Sequence, residues 1–275
     1  MGAAALVSIL QKHRKAFHPV VTFDPARDKL YPFDFTDKNR ELSPEQIADT
    51  ESFAVYINKT LQAHHCRYGF GGYDEHRTLY ARSKHFDHSP LVSGSITPGT
   101  SPLAPGGEAV GTSTLPSGSE AARTSPSPEE PATEPRRLHL GIDIWGPAGT
   151  KVMSPLDGII HSFAFNNNDS DYGATLILTH RLDGVGFHTL YGHLSLNSLK
   201  NLQEGKHIRK GDVIGEFGMR FENGNWPPHL HFQLIADLQG WKGDYPGVCK
   251  YSERQQWLRN CPDPDLILQM ALSDQ

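Results

Sequence analysis

Long hydrophobic runs are missing from this chain of 275 residues. No stretch reaches the ~18 consecutive apolar positions of a bilayer-spanning helix, so no membrane partner is expected. Cysteine is scarce. Cys66, Cys249 and Cys261 make an odd, sparse set that does not read as a disulfide framework, although a Cys249–Cys261 bridge stays open at its spacing. Positive charge is also short: 26 Lys and Arg against 31 Asp and Glu leave a net charge of −5. A nucleic-acid binder needs a basic face to neutralise phosphates, and none is indicated. The apolar residues 1–10 are followed, not preceded, by Lys12, Arg14 and Lys15, the reverse of a secretion signal. Gly2 fits a myristoylation pattern that Leu6 breaks. The expectation is a cytoplasmic protein of ordinary globular composition, with 37% hydrophobic and 21% charged residues.

Aromatic residues are absent from 89–135, where Ser, Thr, Pro and Gly fill 30 of 47 positions. Such a stretch cannot bury enough apolar surface to offset the entropy of ordering, and the expectation is a disordered low-complexity linker. Four parts follow: an N-terminal mixed α/β region at 1–88, the linker at 89–135, a β-sheet domain at 136–248 and a C-terminal extension at 249–275. Within the first part, Ser43-Pro44-Glu45-Gln46 is a capping box with proline in the first turn. Phe53, Tyr56, Ile57 and Leu61 recur at helical spacing, which predicts one helix over 44–64. After 136, short β-rich runs such as 173–179 and 187–191 alternate with turn signals, Asp183-Gly184 and Asn223-Gly224 among them. That spacing predicts an α+β, mainly β fold with an antiparallel sandwich or barrel core. Residues 252–258 suggest one more helix.

Fifteen histidines are present, so a lone one means little. More informative are those at β-periodic spacing. In His139-Leu140-Gly141-Ile142-Asp143, a period of two sends 139, 141 and 143 to one face of a strand, and Gly141 leaves room between the other two. His229-Leu230-His231 likewise sends two imidazoles to one face, and Tyr191-Gly192-His193 ends another strand-like run. Two histidines and one aspartate are a catalytic zinc donor set that keeps a fourth position for water. Zinc lowers that water's pKa to roughly 7, and two further histidines could move its protons near neutral pH. Alone, a His-x-His pair is more often structural than a ligand site; the conjunction is what points to a metal.

HLGIDIWGPAGTKVMSPLDGII, then LYGHL, then EGKHIRKGDVIGEFG, then HLHF resemble, in this order, the M23 or lysostaphin-type (LytM-type) metallopeptidases over about 136–235. The resemblance implies a small antiparallel core of the duplicated-hybrid-motif kind with one Zn2+ per chain in a groove across the sheet. It also implies that His139, Asp143 and His231 are metal ligands, that His193 and His229 are the catalytic pair, and that the substrate is a peptide, peptidoglycan-type or otherwise short. The stretch from Gly243 to Leu268 and the N-terminal GGYDEHRTLY are similar to an intracellular-looking M23 subgroup, some of whose members carry kinase-like and aminotransferase-like domains. A non-catalytic or auto-inhibited M23-like module is the alternative; retention of all five site residues speaks against loss of catalysis.

Smaller signals leave alternatives open. Glu75 and Arg77 follow a glycine-rich turn, and Arg77 could bind a substrate carboxylate. An internal salt bridge is the favoured reading, and a third is that the segment folds over the zinc. Trp226, in the Pro-rich stretch before HLHF, and Trp145 could wall the groove or pack in the core. His180 and His188 are candidates for supporting the ligands from behind.

Overall fold

The structure, a computed structural model, describes residues 3–87 and 134–270. In chain order the elements are α1 (Ala3–Lys12), β1 (Leu30–Phe33), α2 (Pro44–Ala48), α3 (Thr50–Ala63), β2 (Tyr68–Gly71), β3 (Arg136–His139), β4 (Ile142–Trp145), β5 (Lys151–Met153) and β6 (Gly158–Asn166). There follow β7 (Gly173–Leu182), β8 (Val185–Leu194), β9 (His207–Ile208), β10 (Val213–Glu216), β11 (His229–Ile235), β12 (Val248–Lys250), α4 (Arg254–Asn260) and α5 (Asp265–Leu268). Eight strands form one sheet in the order β1-β2-β4-β11-β8-β7-β6-β9, and the pairs β10-β5 and β12-β3 stand apart from it. The fold is mainly β with a few helices, as expected. Its antiparallel core runs from β4 to β9, and the one parallel pair among the described residues, β1 with β2, comes from the N-terminal region. All but the last two residues of 89–135 lie outside the described residues.

Alternation along the strands decides what each face buries. Leu230, Phe232 and Leu234 of β11 join Leu176, Leu178, Phe187 and Tyr191 in a core on one face of the sheet. Leu6 and Leu10, one turn apart on α1, close that core together with Ile267 and Leu268. The intervening residues of β11 are His229, His231 and Gln233, all buried on the other face. β7 and β8 are joined through Asp183 and Gly184, whose φ values of 48° and 83° suit the Asp-Gly turn of a tight hairpin.

Two local expectations are corrected. The helix over 44–64 is broken at Asp49, whose extended backbone (φ −94°, ψ 111°) ends α2 and starts α3. Its carboxylate accepts the Ser52 N–H, so the residue acts as the N-cap of a new helix rather than as the interior of one. The second concerns His139 to Asp143, which do not share one strand. β3 ends at His139 in the small sheet, the chain turns at Leu140-Gly141, and β4 enters the large sheet. The helix expected over 252–258 is present as α4 at Arg254–Asn260, entered through a 3₁₀ turn at Tyr251–Glu253. No helix among the described residues is long and apolar enough to cross a membrane.

His180 lies on β7, buried inside this sheet. Its Nδ1–H donates to the Asp157 carbonyl at 2.9 Å and Nε2 meets the Thr189 hydroxyl at 2.8 Å. Burial pulls its pKa down from 6.5 to about 4. Between those values the unfolded chain takes up a proton that the folded chain refuses, so stability falls as pH drops through this window and does not change with this group above it. Urea unfolding of the metal-free chain from pH 7 to 4 should show that loss. In His180→Gln the slope should shrink by up to about 1.4 kcal/mol per pH unit. An unchanged slope would remove His180 as a contributor.

Candidate metal centre

Three ligand-type atoms converge where the two sheets meet. His139 Nε2 lies 3.0 Å from His231 Nδ1 and 3.3 Å from Asp143 Oδ1, and His231 Nδ1 lies 3.1 Å from Asp143 Oδ1. The register makes this convergence. Asp143 of β4 and His231 of β11 are direct cross-strand partners, and the turn after β3 brings His139 in from the side. Gly141 makes the turn possible: a Cβ there would stand 2.5 Å from the His231 ring. The space expected beside Gly141 for an ion is thus filled by an imidazole.

The protons on these rings are assigned by their other partners. His139 Nδ1–H donates to the Gly72 carbonyl at 3.0 Å. His231 Nε2–H donates to Gln233 Oε1 at 2.9 Å, and the Gln233 amide is oriented by donating to the Pro246 carbonyl. Both remaining nitrogens therefore point bare lone pairs at each other and at a carboxylate oxygen. Such an arrangement is repulsive unless a cation lies between them. Ligand atoms held at about 2.0–2.1 Å in a tetrahedral shell lie roughly 3.3 Å apart, close to the three separations observed. The donor set of two imidazoles and one carboxylate fits zinc.

Electrostatics keep the carboxylate ionised and the imidazoles neutral. Burial would raise Asp143, but the neighbouring His139 and the Arg77 guanidinium outweigh it and hold the acid well below its usual range. Burial, with Arg77 adding to it, lowers His139 to about 4.

His193 and His229 form a second pair beside the cluster. Their rings are tilted by 31° with centroids 4.1 Å apart, and His229 stacks on Trp145 at 4.0 Å. Each Nδ1–H donates to a carbonyl at 2.8 Å, that of Asn223 for His193 and that of Pro227 for His229, leaving both Nε2 atoms without a proton. Burial, reinforced for His193 by its neighbour His229, depresses His193 well below 6.5 and His229 to about 4. His193 adopts φ 62°, a left-handed conformation that costs energy in a residue with a Cβ and here ends β8.

The weaker expectations fared unevenly. Glu75 and Arg77 are bound to each other, and Arg77 is wholly buried with its guanidinium on Asp143, so the internal salt bridge is what is observed and the substrate-carboxylate role for Arg77 gives way. Trp145 and Trp226 are buried; Trp226 stands 6.2 Å from His229 and 6.3 Å from His193, under the Arg82 guanidinium. His180 and His188 bond to Asp157, Thr179 and Thr189 and not to the ligands. Gly72, Asn223, Gln233 and Tyr172, whose hydroxyl is 3.3 Å from His231 Nε2, escaped notice. Period-two spacing from His231 would have found Gln233; the others reach the site from distant loops. Cys249 and Cys261 are free thiols.

Residues 137–242 match the model of peptidase family M23. The DD-carboxypeptidase/endopeptidase Mpg of Neisseria meningitidis serogroup B is 36% identical over 103 residues, 38% of this chain and 21% of that protein. The chain thus spans about a fifth of the length of that curated relative. Among solved structures, the catalytic domain of lysostaphin from Staphylococcus simulans is 24% identical, covering 44% of this chain and 80% of that one with a TM-score of 0.32. A zinc-containing peptidase from Vibrio cholerae is 27% identical, covering 40% and 31% with a TM-score of 0.29. Residues 137–242, which carry both histidine pairs and the aspartate, thus belong to peptidase family M23.

Proposed function

We propose that this chain is a zinc-dependent metallopeptidase that hydrolyses peptide bonds by activating water, with His139, Asp143 and His231 holding the ion and His193 and His229 moving protons. The observation that carries this reading is the convergence of two unprotonated imidazole nitrogens and one carboxylate oxygen within 3.0–3.3 Å. Zinc, when bound, supplies Lewis acidity that polarises a carbonyl and makes a water molecule nucleophilic near pH 7. The rest falls to side chains. Carbonyls fix the Nδ1 protons of His193 and His229, so each Nε2 is free to take a proton from the attacking water and to return one to the departing amine. Buried imidazoles of low basicity accept a proton only when charge develops beside them, which suits a transient role.

For substrate, the proposal is a short or cross-linking peptide, peptidoglycan-type peptides included. Its support is the family of residues 137–242 and the carboxypeptidase/endopeptidase activity named for the Neisseria relative. One observation favours a second reading, an auto-inhibited or non-catalytic module. None of the five site residues is more than 6% exposed. Segment 72–80 lies against the cluster, with the Tyr80 ring 6.3 Å from His139.

Purified protein after mild dialysis should contain about one zinc per chain by metal analysis. His231→Ala and Asp143→Ala should each lose it, and normal metal content in both would refute the assignment. Gly141→Ala removes no ligand, yet should also lower zinc content by displacing the His231 ring; full loading would show that the ring has room to move. His193→Ala and His229→Ala should retain zinc while hydrolysis of a peptide library containing muropeptides drops roughly 10²–10⁴-fold. Zinc-loaded wild-type protein that cleaves nothing in that library would favour the second reading.

A further inference from the structure

Arg77 lies outside residues 137–242, yet its guanidinium reaches the cluster. Nη1 donates to Asp143 Oδ2 at 2.5 Å and Nε donates to Glu75 Oε2 at 2.5 Å. The two oxygens of Asp143 are thereby divided: Oδ1 faces the imidazole nitrogens and Oδ2 faces the guanidinium. Nη2 also reaches the Gly72 carbonyl at 3.4 Å, the same oxygen that accepts the His139 proton. The segment carrying these groups is pinned to β3 by backbone bonds from Asp74 N to His139 O, His139 N to Glu75 O and Arg77 N to Arg137 O. A short piece of the N-terminal half therefore braces two of the three ligands from behind.

We propose that Arg77 is a positioning residue of the metal centre, holding Asp143 so that a single oxygen, Oδ1, is presented to the ion. A carboxylate free to rotate can offer both oxygens or turn away; a charge-assisted bond to Oδ2 removes that freedom. An arginine suits the task because its planar fork spans two carboxylates, which a lysine ammonium cannot do with the same geometry. Charge alone would argue the other way, since a guanidinium this close repels a divalent cation. Glu75 answers that objection. Paired with Arg77, it makes the brace electrically neutral, so orientation is gained without a net positive charge beside the ion. Orientation and repulsion thus predict opposite signs for removal of the arginine: lost positioning weakens metal binding, and relieved repulsion strengthens it.

This inference rests on the zinc reading of the cluster, and the test separates the two. In the full chain, zinc affinity is measured by competition with a chromophoric chelator, and the visible spectrum of Co2+-loaded protein reports the coordination shell. Arg77→Met should bind zinc roughly 10–100-fold more weakly than wild type and shift the Co2+ bands. Arg77→Lys should fall between the two, a partial rescue that tracks the donor rather than the fold. Glu75→Gln, which keeps the guanidinium but unbalances its charge and loosens its anchor, should weaken zinc several-fold, and it decides the matter with Arg77→Lys if Arg77→Met does not fold. Zinc affinity equal to or tighter than wild type with unchanged Co2+ bands in the folded variants overturns the positioning role while leaving the zinc site standing. A wild-type chain that takes up no zinc overturns both.

Discussion

Three lone pairs meet at one point, and no proton is left to stand between them. His139 Nε2, His231 Nδ1 and Asp143 Oδ1 are 3.0–3.3 Å apart, while the proton of each imidazole is spent on an oxygen on the far side of its ring. Buried away from water, such a cluster would be a liability in any protein that left it empty. With a divalent cation it becomes favourable. The supporting acceptors, the Gly72 carbonyl and Gln233 Oε1, thus matter as much as the ligands, because moving either proton to the other nitrogen would close the site.

Several features of the fold read as consequences of holding that point. β4 and β11 are paired in a register that sets Asp143 opposite His231. β3 belongs to a different sheet, and only a residue without a side chain at 141 lets the chain bring His139 across. On the far side of β11, Leu230, Phe232 and Leu234 anchor the strand in the main core, so its polar face is held rigidly by an apolar one. The second histidine pair is fixed by a different device. His193 sits at φ 62° and His229 is clamped between His193 and Trp145, while the Asn223 side chain ties its loop together by bonds to Gly218 and Trp226.

What could be read in the sequence was what strand periodicity carries. HLHF alternates over consecutive residues, so the shared face of His229 and His231 was visible, and Gln233 would have been had the alternation been followed two residues further. HLGID invited the same treatment and misled it, because its residues straddle a turn between sheets and their convergence is not a strand's. The capping box at Ser43 was legible, but the break at Asp49 was not: a helix that stops and restarts keeps its apolar spacing across the interruption. Arg77 was out of reach for another reason. Its partner Asp143 is 66 positions away, and nothing local tells an arginine that braces a ligand from one that binds a substrate.

That last contact changes what the family relationship describes. The match to the M23 family covers residues 137–242, which carry the ligands and the histidine pair. β1 and β2 extend the same sheet from the N-terminal half, with β2 paired to β4. From that half come the Gly72 carbonyl on His139, the Arg77 guanidinium on Asp143, and the Tyr80 and Arg82 side chains against His139 and Trp226. Ligand chemistry is set by one part of the chain, and the surroundings of the ligands by both. Substrate preference depends on those surroundings, so similarity confined to the ligand-bearing part carries the reaction type further than it carries the substrate.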